Sequence, residues 1–118
     1  MDRCPICNEI KNSWSIQDGQ RICTDCRQAI AKQEIIDKAM QSTDSRYFKD
    51  WSSKDRTTAF FEVFGRYVKA PNAQDIEVVN HIWLWAVHAD HALAKTISYT
   101  MQWAKMDLHT ERKRWKQV

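Results

Sequence analysis

The sequence predicts a mainly α-helical protein with one small metal-binding module at its N-terminus. Only two glycines and two prolines occur in 118 residues, too few for the many turns of an all-β fold. All four cysteines lie near the N-terminus, in the pattern C-x2-C-x15-C-x2-C. The remainder carries apolar residues at helical spacing, and it ends in a long helical segment without a glycine or proline.

Composition and charge restrict the functional class. The hydrophobic fraction is 43% and the charged fraction 28%, which is ordinary for a globular protein. The net charge of +3 is too modest to predict a nucleic-acid-binding protein by itself. Four of the lysine and arginine residues lie within the last seven residues of the sequence. Because no apolar stretch follows Met1 and no run of about eighteen apolar residues occurs, we expect a cytoplasmic protein with no membrane segment.

The four cysteines are the clearest chemical signal. Each C-x2-C pair fits a turn whose two thiolates bind one tetrahedral ion. In a reducing cytosol such pairs are metal ligands more often than disulfides; redox pairs or free thiols are the alternative. We predict one structural Zn²⁺, because four thiolates leave no open coordination position for catalysis. The predicted ligands are Cys4, Cys7, Cys23 and Cys26.

The segments around the cysteines predict a hairpin and a helix. Asp18-Gly19 is a strong hairpin-turn signal between two short strands. The second cysteine pair leads into a helical stretch at 27–32. Asn8 directly follows the first pair, where many knuckles have glycine, and asparagine tolerates the left-handed backbone of such a turn.

This order of knuckle, hairpin, knuckle and helix resembles the treble-clef zinc fingers, the fold group of the GATA-type and LIM-type fingers. The resemblance covers residues 3–40 and rests on Cys4-Pro5-Ile6-Cys7, Gly19 and Cys23-Thr24-Asp25-Cys26. It implies that the four cysteines are the zinc ligands. It does not imply one function, because treble clefs serve DNA binding, RNA binding, protein docking and scaffolding. We expect a zinc-finger module over 1–41 and an α-helical domain over 42–118.

The helical domain begins after a polar break at 42–45. An aromatic cluster of Tyr47, Phe48 and Trp51 is predicted to cap the finger or the helical core. Ser52 is a suitable N-cap for the next helix, which Pro71 ends. This helix carries one predicted buried stripe: Phe60, Val63, Phe64, Tyr67 and Val68.

Asn72 is predicted to cap a long helical segment over 73–118. A single helix of this length would run roughly 67 Å, which exceeds a compact domain of this size. We therefore expect either a break, at Ala89-Asp90 or at 98–100 with Asp90 the first candidate, or a protruding helix that packs on something else. One face is apolar: Val79, Trp83, Ala86, Leu93, Ile97, Ala104 and Leu108.

The opposite face carries His81, His88 and His91, with Asp90 nearby. A second metal site or an acid–base site is one interpretation. The same face also carries lysine and glutamine, which favours an ordinary solvated surface. No nucleotide-binding loop or nucleophile motif is present, so we predict no catalytic residues and a protein that is not an enzyme.

Six tryptophans are many for this length. Trp83 and Trp103 are predicted to lie in the core. Trp85 and Trp115 lie off the buried stripe, so we expect them to be exposed and to bind a partner, since exposed tryptophan is enriched at interfaces and stacks on bases. The alternative is that they pack against a neighbouring element.

Seven cations are candidates for phosphate contacts: Arg21, Arg27, Lys32, Arg112, Lys113, Arg114 and Lys116. The finger would orient the first three, and the others form a C-terminal cluster with one tryptophan. The alternatives are ordinary solvated charges in the finger and cations that complement a helix C-terminus.

Two functional hypotheses follow. The first is a small zinc-binding regulatory protein associated with DNA or RNA, of the transcription-factor or phage-regulator type. The second is an adaptor or inhibitor that binds a partner protein through its helices and exposed tryptophans, or that forms a homodimer through the C-terminal helix.

Overall fold

The computed structural model describes residues 3–116, with Lys116 described by its backbone alone. The chain divides into two units, residues 1–34 and 35–118, so the division falls inside helix α1 (Thr24–Ala39), earlier than the predicted boundary after residue 41. The fold is mainly α-helical with one N-terminal β-hairpin, as predicted. Within residues 3–116, no helix combines the length and the apolar character needed to cross a bilayer.

The N-terminal unit contains a two-stranded antiparallel hairpin. Strand β1 is Trp14–Gln17 and strand β2 is Gln20–Cys23, with Gln17 opposite Gln20 at the turn. Asp18 and Gly19 have φ angles of 52° and 79°, the left-handed pair that a two-residue type I′ turn requires. The predicted Asp-Gly turn is confirmed.

The second unit consists of the last turns of α1, a 3-10 helix (Ser45–Phe48) and four further helices. These are α2 (Ser53–Lys69), α3 (Ala73–Ala89), α4 (His91–Trp103) and α5 (Leu108–Lys116). The predicted caps are confirmed: the side chains of Ser52 and Asn72 accept from the backbone N–H of Asp55 and Asp75. Each cap satisfies a donor that the helix leaves unpaired.

An apolar core joins these helices. From α2 it takes Phe60, Val63, Phe64 and Tyr67, from α3 mainly Ile76, Val79 and Ile82, and from α4 Leu93, Ile97 and Met101. Val68 was predicted to belong to this stripe, but it is exposed because it lies on the margin of the face that α2 presents to α3. The predicted aromatic cluster is present, with Phe48 buried and its ring 4.9 Å from that of Trp51, and it packs on this core.

The predicted break at Asp90 is confirmed. Asp90 ends α3 in a non-helical conformation, with φ −145° and ψ 81°. Its carboxylate accepts from the backbone N–H of Leu93 at 3.2 Å, which caps α4. Ser53 donates to the other carboxylate oxygen at 3.1 Å. One short polar side chain therefore both stops one helix and starts the next.

A second break, at 104–107, was not predicted; the alternative site at 98–100 is helical. Lys105 has a φ angle of 58°. The N–H of Met106 donates to Met101 and that of Lys105 to Gln102, the paired bonds of a Schellman motif. Glycine usually occupies the left-handed position, and a lysine there gives no sequence signal. The C-terminal segment is thus three helices, not one or two.

Candidate metal centre

The first cysteine pair lies on a tight turn. The backbone N–H of Cys4 donates to Glu9 at 2.9 Å, and that of Asn8 donates to Cys4 at 2.8 Å. Asn8 has a φ angle of 59°, so it takes the left-handed conformation expected where many knuckles have glycine. The turn brings the side chains of Cys4 and Cys7 to the same site.

The second pair joins the hairpin to the helix. Cys23 is the last residue of β2 and Cys26 lies in the first turn of α1. Backbone N–H groups point at the sulfurs: Cys23 N–H donates to Cys4 Sγ at 3.5 Å and Cys26 N–H donates to Cys23 Sγ at 3.4 Å. Such donors stabilise thiolates.

The four sulfur atoms form one cluster, all within 4.8 Å of one another. The distance from Cys4 Sγ to Cys26 Sγ is 3.7 Å, and that from Cys7 Sγ to Cys23 Sγ is 3.8 Å. Sulfurs held at about 2.3 Å from one ion at the corners of a tetrahedron are about 3.8 Å apart. The residues therefore fit a tetrahedral metal ion, and a disulfide, with sulfurs about 2.05 Å apart, does not match these distances.

The thiols differ in acidity. Burial raises the pKa of Cys4, but backbone N–H groups of Cys23, Cys7 and Ile6 donate to its sulfur and bring the pKa down to about 6. The pKa of Cys26 is raised to about 12, first by a hydrogen bond with the side chain of Cys23 and second by burial. The surroundings of Cys4 thus favour its thiolate, whereas those of Cys26 favour its protonated thiol. A cation among the sulfurs removes this conflict, because it stabilises every thiolate at once.

Apolar and polar side chains support the cluster. Cys4, Ile22 and Cys23 are fully buried, with Trp14 and Ile30 packed beside them. The Nζ atom of Lys11 forms ion pairs with the carboxylates of Glu9 at 2.9 Å and Asp25 at 3.3 Å. Both carboxylates raise the pKa of Lys11, and Glu9 has the larger effect. Cys7 is exposed, so one edge of the site faces solvent.

Three predicted phosphate-binding cations lie in the N-terminal unit. Arg21 is exposed and its guanidinium carbon lies 4.5 Å from the Trp14 ring centroid. Lys32 is exposed on α1, whereas Arg27 is half-buried. The Nη1 atom of Arg27 is fully buried and has no hydrogen-bond partner among residues 3–116. Their predicted role in phosphate binding stays a prediction.

The C-terminal cluster is partly committed to internal contacts. Arg112 donates to both carboxylate oxygens of Glu77, at 2.9 and 3.2 Å. Its guanidinium group is therefore already paired with a residue of α3. Arg114 lies 3.7 Å from Glu111 and over the ring of Trp115. Lys113 is exposed, and the side chain of Lys116 lies outside the described residues.

The tryptophan predictions need correction. Trp85 and Trp115 are half-buried against the helical core, not exposed: the Trp85 ring lies under Arg56, and Trp115 donates to the hydroxyl of Tyr67 at 3.0 Å. Trp103, predicted to be core, is 90% exposed. Trp83 packs against the core as predicted.

A sequence signal for Trp103 was available. On a helix at about 100° per residue, position 103 lies about 240° around the axis from the buried Ile97, whereas Met101 lies only about 40° away. Tyr99, four residues before Trp103, is also exposed, at 69%. The prediction that Trp103 lies in the core did not take this helical position into account, and the exposure of Tyr99 was not predicted.

The histidines form no second metal site within the described residues, where only the four cysteines come together as a set of possible ligands. His88 and His91 are exposed. His81 is half-buried, and its Nδ1 lies 2.8 Å from the hydroxyl of Ser42. Burial lowers the pKa of His81, so the neutral ring is favoured.

Comparison of the chain with protein-family models, with curated proteins and with solved structures finds no match.

Proposed function

We propose that residues 3–34 form a treble-clef zinc finger that holds one structural Zn²⁺. The order of turn, hairpin and helix supports this fold. Four thiolates are soft ligands, which favour zinc over hard cations such as Mg²⁺ or Ca²⁺. They also complete a tetrahedral shell, so the metal stabilises the fold and activates no water.

We further propose that the protein is a regulatory adaptor or inhibitor that binds a partner protein through its helical unit, and that it is not an enzyme. The exposure of Trp103 is the observation that carries this proposal. The same unit buries Phe60 and Tyr67 completely. A tryptophan left in water beside such a core is typical of a binding hot spot, where Trp and Tyr are enriched.

Purification of the zinc-loaded, full-length protein from its native cell, with and without nuclease, tests this function. We expect one protein to remain bound in stoichiometric amount after nuclease treatment. The affinity tag expressed alone is the control. Recovery of nucleic acid and loss of all bound protein after nuclease would overturn the proposal, as would recovery of no partner at all.

The second candidate function is association with DNA or RNA. Residues 35–118 hold thirteen Lys/Arg against ten Asp/Glu, and Lys113 and Arg114 are exposed on α5. Residues 3–34 contribute less, because their five Lys/Arg stand against four Asp/Glu and a Zn²⁺ with four thiolates adds a formal charge of about −2. A phosphate interface should therefore lie on the helical unit.

A mobility-shift titration with DNA and RNA at low salt tests this second function. Phosphate binding should weaken steeply as salt increases, because released counterions drive it. Lys113→Glu should reduce binding, whereas Lys54→Glu on α2 is a matched charge reversal away from the cluster. Absence of binding at low salt would exclude the nucleic-acid function.

A further inference from the structure

The outer face of α4 presents a row of three exposed side chains. Lys95, Tyr99 and Trp103 are spaced four residues apart, so they follow one another along one side of the helix, about 6 Å apart along its axis. All three are exposed. Within the described residues, neither aromatic ring contacts another ring.

The formal charges within residues 91–106 have one sign. The sequence from His91 to Met106 contains no Asp or Glu. Lys95 and Lys105 are exposed, and neither has an ion-pair partner among residues 3–116. The exposed aromatic side chains are therefore flanked by cations on both sides along the chain. A complementary ligand must supply apolar area and negative charge together.

A groove of about 150 Å³ adjoins the row. Its lining is mixed: the apolar side chains are Trp83, Ile97, Met101, Met106 and Leu108, and the polar ones are Ser98, Gln102 and Asp107. A space of about 150 Å³ accommodates a group the size of benzene. Methionine side chains adapt readily to the shape of an inserted group. The groove therefore has the size and the chemistry to receive one apolar side chain.

We propose that this face binds an acidic amphipathic segment of a partner protein. We name it the α4 face; it consists of Lys95, Tyr99, Trp103, Lys105 and the adjoining groove. An apolar side chain of the segment enters the groove, Tyr99 and Trp103 cover it, and carboxylates of the segment contact Lys95 and Lys105. This inference rests on the proposed partner-protein function and adds the location and the chemistry of the contact.

Two other occupants fit the face less well. Nucleic acids gain affinity from several cations along their backbone, and residues 91–106 supply only Lys95 and Lys105. A second copy that used the same face would bring lysines against lysines, with Asp107 the one carboxylate in the groove lining, and like charges at an interface oppose association.

An NMR titration of the full-length, zinc-loaded protein tests the inference with three probes. They are a helical peptide of leucine and glutamate, the same peptide with lysine for glutamate, and oligothymidylate. We expect only the acidic peptide to shift the amide resonances of residues 95–106. Trp103→Ala and Lys95→Glu should each weaken its binding by about tenfold or more, as expected for hot-spot residues.

Two matched controls keep the test specific. Phe61→Ala removes a half-exposed aromatic side chain from α2, and Lys54→Glu reverses an exposed charge there; both should leave the affinity unchanged. No binding of the acidic peptide, equal binding of the basic peptide, or shifts confined to other helices would overturn the inference. The inference would also be overturned if oligothymidylate, and not the acidic peptide, shifted the amide resonances of the α4 face, or if the protein dimerised through this face.

The failure of this inference can be separated from the failure of the proposed function. If the native partner is captured equally by the wild-type protein and by Trp103→Ala, the partner-protein function stands and the α4 face is wrong. If no protein partner is captured by the wild-type chain, the proposed function itself is wrong.

Discussion

The two units of this chain are stabilised by different means. In the N-terminal unit, the fully buried cluster consists of Cys4, Ile22 and Cys23. In the helical unit, sixteen buried residues form one core. About thirty residues cannot bury enough apolar surface to fold alone, and chains of that size usually need metals or disulfides. In the first unit, four cysteines placed to hold one metal ion stand where the second unit has a large core.

The distribution of exposed isoleucines supports the same contrast. Ile6, Ile10 and Ile16 of the N-terminal unit are all more than half exposed, whereas Ile76, Ile82 and Ile97 of the helical unit are buried. Among its described residues, the N-terminal unit thus buries only one isoleucine fully, Ile22 beside the cysteines, whereas the helical unit buries isoleucines from α3 and α4 in one core. If this account is right, metal removal and core mutation should each affect one unit only.

The largest expected effect is that of Cys4→Ser. Loss of one thiolate from a four-thiolate site should remove most of the metal-binding free energy, which is on the order of 10 kcal/mol in zinc fingers. We expect NMR signals of residues 3–34 to collapse to unfolded positions while those of α2–α4 stay in place.

Ser13→Ala is the control for Cys4→Ser, because it removes only the hydroxyl contact with Thr24 in the same unit. This variant should keep its metal. Collapse of the helical signals together with the hairpin in Cys4→Ser would show that the two units are not separately stabilised.

Phe60→Ala should have the opposite pattern. Phe60 of α2 is fully buried in the core, and its ring stacks on that of Phe64 with the ring centroids 5.6 Å apart. Truncation leaves a cavity, and we expect a loss of about 3–5 kcal/mol of unfolding free energy for the helical unit. Urea denaturation measures this loss, and metal content should stay unchanged. Its neighbour Phe61, 44% exposed, is the matched site, where Ala should cost less than about 1 kcal/mol.

Tyr67→Phe should have a smaller effect on the docking of α5. The hydroxyl of Tyr67 donates to Glu111 at 2.7 Å and accepts from Trp115 at 3.0 Å. Its loss leaves both partners without this bond, at a cost of about 1–2 kcal/mol. Hydrogen exchange should accelerate in α5 before it does in α2. Tyr99→Phe, which removes an exposed hydroxyl, should change nothing; equal exchange in both variants would contradict the assigned contacts.

The smallest effect is the pH dependence due to His81. Burial lowers the pKa of His81 in the folded state, so the unfolded chain binds more protons below the ordinary histidine pKa of about 6.5. Its contribution to stability is therefore present above that pH and is lost as the pH falls from there through the lowered pKa of the folded state. His81→Gln should remove this pH dependence of the helical unit's stability below about pH 6.5, whereas the exposed His88→Gln should leave it in place. Parallel curves for wild type and His81→Gln would refute this.

Sequence reasoning predicted the features that depend on local chemistry. Each cysteine pair, the Asp-Gly turn, the helix caps at Ser52 and Asn72 and the helix break at Asp90 involve residues a few positions apart, so their geometry is encoded in a short segment. The Schellman turn at Lys105 was missed because a lysine occupies a position where glycine is the usual signal.

Tertiary partners were harder to predict. Trp115 is half-buried because Tyr67, forty-eight residues away, offers its hydroxyl, and Arg112 is paired because Glu77 faces it from α3. Neither contact has a signal in the local sequence. Trp103 differs, because its helical position alone placed it off the buried stripe.

Native mass spectrometry of the purified chain, combined with NMR before and after chelation, determines whether a metal ion holds the N-terminal unit together. We expect one zinc ion for each chain, four deprotonated cysteines, and a hairpin over 14–23 that disappears on chelation while the helical unit remains folded. A chain that binds no metal, or a hairpin that keeps its structure without metal, would contradict this expectation.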